Sequence, residues 1–123
     1  MSNHEFTGNK PLEQKISLGE TTHFDREGFS GDIYVDKGEA RGFNTLLVDV
    51  HGEHPRKRMG ESTTRTYFVI EGEGTFTIGE QTFAVSNGDY FVIEPGGEYN
   101  YSGNMKLLET NISSDNSFED EKI

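Results

Sequence analysis

The sequence predicts an all-β domain folded as a small barrel or sandwich. Short apolar runs begin at Asp32, glycine-containing turns separate them, and no segment has convincing amphipathic helical spacing. A chain of 123 residues can bury one core but is short for two domains. We therefore expect an irregular N-terminal arm at 1–30, the barrel at 31–112 and an acidic surface tail at 113–123.

Composition narrows the function classes. The net charge of −11 argues against nucleic acid and anionic membranes as partners, because binding to phosphates needs clustered Lys and Arg. With no cysteine, the chain has no disulfide, thiolate metal site or cysteine nucleophile. The polar N-terminal residues do not resemble a secretion signal, and no apolar run approaches the ~20 residues of a membrane span. We expect a cytoplasmic protein.

The first predicted strands follow the polar arm, which we expect to wrap the barrel or to add an edge strand. Asp32–Val35 is a short strand, and Asn44–Val50 alternates apolar residues with polar ones such as the outward Asp49. Residues 51–64 are predicted to form a polar loop. Arg65–Ile70 is apolar on both faces in its second half. In a barrel, one of these faces would line the lumen and the other would contact an oligomer partner or a covering arm.

Glycine-containing turns introduce the later strands. Gly72, Glu73 and Gly74 predict a turn, and Gly79-Glu80 and Asn87-Gly88 predict two more. The strands predicted from this spacing are Thr75–Ile78, Gln81–Val85, Tyr90–Ile93, Tyr99–Tyr101 and Met105–Asn111. In the tail, Phe118 is the one anchor we expect.

The segment from Tyr67 to Gly97, YFVIEGEGTFTIGEQTFAVSNGDYFVIEPGG, resembles the central part of cupin domains. It has a strand ending in Glu-Gly-Glu-Gly, a hairpin, and Gly-Asp before an apolar strand that stops at Pro-Gly. The resemblance covers about residues 43–110. It implies a cupin-type double-stranded β-helix, which is a jelly-roll barrel, and a homodimer, since cupins are usually dimeric.

The resemblance also locates the family's metal ligands, and here the sequence departs from the pattern. With Gly72 as the last residue of the first motif, Arg65 takes the glutamate position. The two histidine positions fall on Met59 and Glu61, or on Arg58 and Gly60, and the last histidine position falls on Tyr99. A fixed guanidinium charge repels a cation. We therefore predict a barrel without a metal or other cofactor.

Strand alternation suggests what the lumen holds instead. Arg65 and Tyr67 share a face, Tyr99 and Tyr101 share another, and by the resemblance both faces point inward. Arginine binds carboxylates and phosphates, while tyrosine offers ring area and one hydroxyl. With Arg58 at a basic mouth, these residues predict a small saccharide-like or anionic ligand. Alternatively, the tyrosines only fill the core, and Glu61 or Glu94 pairs with Arg65.

Three other functions remain open. A sugar or sugar-nucleotide isomerase or epimerase would need a base, for which Glu61 and Tyr99 are candidates. A metal-dependent enzyme would draw on His51 and His54 with Glu61, although we expect these histidines to face solvent. A structural or regulatory barrel would present Phe68 and Ile70 as a dimer surface.

Overall fold

The computed structural model describes residues 15–35, 42–115 and 117–123. The first 14 residues of the predicted arm lie outside these ranges. The elements are one 3-10 helix, Leu18–Glu20, and the strands β1 Thr22–Arg26, β2 Phe29–Ile33, β3 Phe43–Met59, β4 Thr63–Ile78, β5 Gln81–Ala84, β6 Tyr90–Ile93, β7 Glu98–Ser113 and β8 Asp120–Lys122. The prediction of an all-β fold is confirmed. No helix in the described ranges is long and apolar enough to cross a membrane.

Three long strands, β3, β4 and β7, form the centre of the barrel. The strand order is β1-β2-β3-β7-β4-β5, while β6 pairs with β4 and β8 pairs with β3. All pairings are antiparallel. Alternate side chains of each long strand point into one shared interior, as the two-residue period of a strand requires.

The stretch predicted as a polar loop, 51–64, is instead mostly strand. β3 continues to Met59 and pairs with β7, with a register shift between His54 and Lys57. Pro55 lies at this shift, where its missing N–H removes no regular ladder hydrogen bond. The basic and polar residues suggested a loop, but they alternate between the two faces of a strand that β7 covers on one edge.

The turn predicted at Gly72 and Gly74 is a bend within one continuous strand. β4 runs through both glycines and shifts register against β7 between Val69 and Glu71. Gly72 has a φ of 118°, and a Cβ atom there would collide with the backbone of Asn104. The missing side chains thus let two strands approach closely and curve around the barrel.

Both described ends of the chain add strands to the sheet, which was one of the two expectations for the N-terminal arm but was not expected for the C-terminal tail. Strands β1 and β2 form a hairpin that extends the sheet beyond β3, with Phe24 and Phe29 packed against the core. At the other end, Ser113 still belongs to β7, and β8 pairs with residues 57–59 of β3. Phe118, which lies between β7 and β8 in the chain, is buried. The last strand therefore closes one end of the barrel.

Candidate functional site

The interior holds a cluster of rings from three strands. Tyr67 of β4 and Tyr99 and Tyr101 of β7 are fully buried, on the faces that the resemblance to cupins predicted to point inward. The rings of Tyr67 and Tyr101 meet edge to face at 5.4 Å between centroids, and the hydroxyl of Tyr67 donates a 3.4 Å hydrogen bond to that of Tyr99. Burial raises the pKa of all three phenols. They therefore remain protonated and can donate hydrogen bonds, so Tyr99 is a poor candidate for a base.

His54 joins this cluster, and the prediction that it faces solvent is wrong. Its ring stacks on Tyr101 at 4.5 Å and on Tyr99 at 5.3 Å, and the ring of Phe29 covers it at 4.7 Å. Because residues 51–64 were predicted as a loop, the alternation from Val50 was not continued to His54. Continued along β3, it places His54 inside, as the structure does.

The protonation state of His54 follows from its surroundings. Nδ1 lies 2.8 Å from the carbonyl oxygen of Pro55, which can only accept, so Nδ1 carries the proton. Burial and then the charge of Lys57 lower the pKa of His54 to about 4. The imidazole is therefore neutral near pH 7 and keeps the lone pair of Nε2 for accepting a proton.

Arg65 is buried beside the rings and contacts two carboxylates. Its Nη1 lies 2.6 Å from Asp120 Oδ2 and its Nε lies 3.3 Å from Glu109 Oε2. The same guanidinium donates to the Tyr99 hydroxyl and to the side-chain oxygen of Asn111, both at 2.5 Å. Burial, the largest single influence, lowers the pKa of Arg65, but Glu109, Tyr99, Tyr67 and Asp120 together outweigh it and raise that pKa well above its usual range. The cation is thus permanent.

The partners of Arg65 differ from those the sequence suggested. Glu61 is exposed in the turn after β3 and lies against Gly96, and Glu94 is also exposed. Glu61 is therefore poorly placed to act as a base in the lumen. Glu109 and Asp120 form the ion pairs with Arg65 instead, and neither residue was predicted to do so. Alternation along β7 from Leu107 was the available signal for Glu109, whereas Asp120 had none.

Three consecutive basic residues, Arg56, Lys57 and Arg58, lie outside the ring cluster. Arg58 pairs with Glu98 at 2.8 Å and with Glu121 at 3.2 Å on the surface. Arg56 reaches Glu98 as well, at 3.4 Å. Lys57 Nζ lies 3.3 Å from Asp120 Oδ1 and thus contacts the carboxylate that binds Arg65. Of these three basic residues, Lys57 is the one linked to the interior.

An open groove of about 820 Å³ adjoins this end of the barrel. Its walls come from the β1–β2 turn, from β3 and from β8, and they include Phe29, Lys57 and Lys122. Phe29 also contacts the ring of His54, so this side chain separates the groove from the interior cluster.

The residues at the expected metal position do not fit a transition metal. By the resemblance to cupins, Arg65 takes the position of the carboxylate ligand and Tyr99 that of a histidine ligand. The guanidinium of Arg65 donates a hydrogen bond of 2.5 Å to the Tyr99 hydroxyl, so a fixed positive charge lies where the metal ligands are expected. His51 is exposed and His54 is buried on the opposite face of β3, so they cannot share one ion. Among the described residues, no group of three or more His, Cys, Asp or Glu side chains could hold a metal.

Comparison with known proteins supports the fold assignment. Three variants of a Streptomyces nucleoside dehydratase, each solved with uridine, share a TM-score of 0.77 at 19% identity, over 91–92% of this chain and 92% of that chain. A protein from Planctomyces limnophilus also has a TM-score of 0.77, at 12% identity over 89% of this chain and 96% of that chain. Ectoine synthase from P. lautus has a TM-score of 0.69, at 14% identity over 83% of this chain and 78% of that chain.

No curated protein sequence matches the chain. The sequence profile of the cupin domain matches residues 45–109, which is more than half of the chain. This range covers most of the three long strands. On these grounds the predicted jelly-roll barrel is confirmed, and the chain belongs to the cupin domain family.

Proposed function

We propose that the lumen binds a small polyhydroxylated molecule of the nucleoside type and that His54 acts on it as a general base. The observation that carries the proposal is a buried, neutral imidazole whose Nδ1 proton is held by Pro55 while two protonated phenols, Tyr99 and Tyr101, stack on the ring. A base with a free lone pair next to hydroxyl donors is the arrangement that proton-transfer chemistry needs. No metal takes part in this proposal.

The reaction that this arrangement supports best is the loss of water. Nε2 of His54 would take a proton from a carbon next to a carbonyl, a carbon–carbon double bond would form, and the neighbouring carbon–oxygen bond would break. The departing hydroxyl would receive a proton from Tyr67, Tyr99 or Tyr101. Their raised pKa values keep these phenols protonated and able to donate.

The Streptomyces nucleoside dehydratase supports the same proposal through residue spacing. Its uridine-bound variants replace one histidine, a tyrosine thirteen positions later, and a second tyrosine thirty-four positions after that. His54, Tyr67 and Tyr101 have the same separations here. At 19% identity this coincidence is a reason to test nucleosides first.

Uridine binding tests the proposal directly. Uridine is titrated into the wild-type chain and into His54→Gln, with His51→Gln as the matched control, because His51 lies on the exposed face of the same strand. We expect uridine to bind all three proteins, as it binds the Streptomyces variant in which a histidine is replaced by glutamine, and we expect only His54→Gln to lose the water-loss reaction. An oxidised uridine bearing a carbonyl on its ribose then tests for water loss. Absence of both uridine binding and water loss would reject the proposal.

The isomerase or epimerase alternative uses the same base and differs in outcome. Proton removal and return at one carbon incorporates deuterium from heavy water without loss of oxygen, whereas dehydration lowers the substrate mass by one water. Mass spectrometry of the incubated nucleoside separates the two. If uridine binds and neither change occurs, the barrel is a binding protein.

We also propose that the chain forms a homodimer through the outer face of β4, β6 and β7. Phe68, Tyr90 and Leu108 are adjacent there, since Phe68 pairs with Tyr90 on one side and Leu108 on the other. All three are partly or largely exposed in the single chain, with Tyr90 60% exposed. A continuous apolar surface of this kind favours association with a second copy.

A further inference from the structure

The carboxylate of Asp120 enters the barrel from outside the cupin-matching range. It lies 2.6 Å from Arg65 and 3.3 Å from both the Tyr99 hydroxyl and the Lys57 ammonium. Two cations and one phenol thus converge on a single carboxylate at the closed end of the barrel. These are the contacts that a carboxylate on a small ligand would make.

The two carboxylates on Arg65 are held very differently. Glu109 lies in the middle of β7, which pairs with β3 on one side and with β4 on the other. Asp120 lies in β8, a strand of 3 residues that pairs with β3 alone. Its neighbours Glu121 and Lys122 are exposed. Asp120 is therefore the carboxylate that can leave without breaking the pairing of the three long strands.

Asp120 also lies close to the open groove. Lys57, which contacts Asp120, and Lys122, which follows it in β8, both line the groove. Movement of β8 would join the groove to Arg65 and to the ring cluster. A molecule that arrived through the groove would then meet Lys57 before Arg65, so an anionic group would be drawn inward.

We propose that Asp120 occupies an anion subsite of the lumen and that a ligand carrying a carboxylate displaces it, releasing β8 from β3. The proposal rests on the lumen being the ligand site, and it adds the substrate class: a polyhydroxylated molecule with a carboxylate. When the site is empty, Asp120 neutralises Arg65 and Lys57. When the ligand is bound, its carboxylate takes over those contacts.

The test compares Asp120→Asn with Glu121→Gln. Both variants remove one charge from β8, but Glu121 pairs with Arg58 on the surface, so its replacement leaves the lumen unchanged. The probes are uridine, uridine 5′-carboxylate and glucuronate, titrated by calorimetry. We expect both carboxylates to bind Asp120→Asn about tenfold more tightly than the wild type, since a hydrogen bond to a charged group contributes at least that factor. Glu121→Gln should match the wild type.

Hydrogen exchange provides a second measurement on the unaltered chain. The amide of Gly60 donates to the carbonyl of Glu119, and the amide of Ile123 donates to that of Arg56, so both report on whether β8 is docked. We expect glucuronate to speed exchange at these amides and uridine to leave it unchanged. This measurement decides the matter even if Asp120→Asn does not fold.

The outcomes separate the two proposals. If glucuronate behaves as expected while neither uridine compound binds, the nucleoside proposal fails and the anion subsite stands. If uridine binds all variants equally and no carboxylate prefers Asp120→Asn or releases β8, the anion subsite is refuted and the nucleoside proposal stands. Absence of carboxylate binding to every variant also refutes the subsite.

Discussion

His54 should make the folded chain sensitive to mild acid. Its pKa of about 4 in the folded chain lies below the ordinary value of 6.5, because burial and then the charge of Lys57 disfavour the imidazolium. Between these two values the unfolded chain binds more protons at this residue than the folded one. Stability must therefore fall as the pH drops from 6.5 toward 4, and it is fully retained above that window.

The size of the effect follows from the same shift. Each unit of pKa difference corresponds to about 1.4 kcal/mol. Between pH 7 and pH 4.5 the titration of His54 therefore lowers the free energy of unfolding by about 2 kcal/mol. The other charged groups acting on His54 are Arg65, which lowers its pKa further, and Asp120, which raises it. The carboxylate of Asp120 has a lowered pKa, because Arg65 and Lys57 outweigh its burial. The stability that ionised Asp120 contributes to the folded chain is lost only below about pH 4.

Urea unfolding at several pH values between 7 and 4.5 measures this slope. The wild type is compared with His54→Gln, which cannot titrate, and with His51→Gln as the control on the exposed face. We expect the wild type and His51→Gln to lose about 2 kcal/mol more than His54→Gln over this range. Equal slopes for all three proteins would show that His54 titrates normally and would refute the reasoning that makes it a neutral base.

Three further predictions test the fold and the site. Replacing Arg65 with Met leaves Glu109 and Asp120 without their shared cation, so urea unfolding should show a loss of about 3–5 kcal/mol, and a loss under 1 kcal/mol would contradict the buried ion pairs. Gly72→Ala meets both a positive φ and the backbone of β7, and it should lower the unfolding free energy by at least about 1 kcal/mol. A neutral result there would argue against the bend in β4. Phe68→Glu places a charge on the apolar outer face and should yield monomers by light scattering, whereas an unchanged mass would reject that interface.

The site was only partly predictable, and the errors have one physical origin. Local patterns report on residues a few positions apart, whereas pairing across a barrel depends on distant segments. Residues 51–59 carry turn-like and charged residues, so the sequence suggested a loop. Pairing with β7 makes them a strand and turns His54 inward. The glycines at 72 and 74 likewise suit a turn or a close strand crossing, and only the position of β7 decides between them.

By itself, the sequence determined the all-β fold and the positions of most strands. It also placed Arg65 with Tyr67 on one face and Tyr99 with Tyr101 on another, because strand alternation has a fixed period of two, and the resemblance to cupins then implied that both faces point inward. The tertiary structure alone decided what those side chains meet. Asp120 reaches Arg65 from 55 positions away in the chain, through the pairing of β8 with β3. No local pattern encodes that contact, since it exists only once the barrel has closed and left an end for β8 to cover.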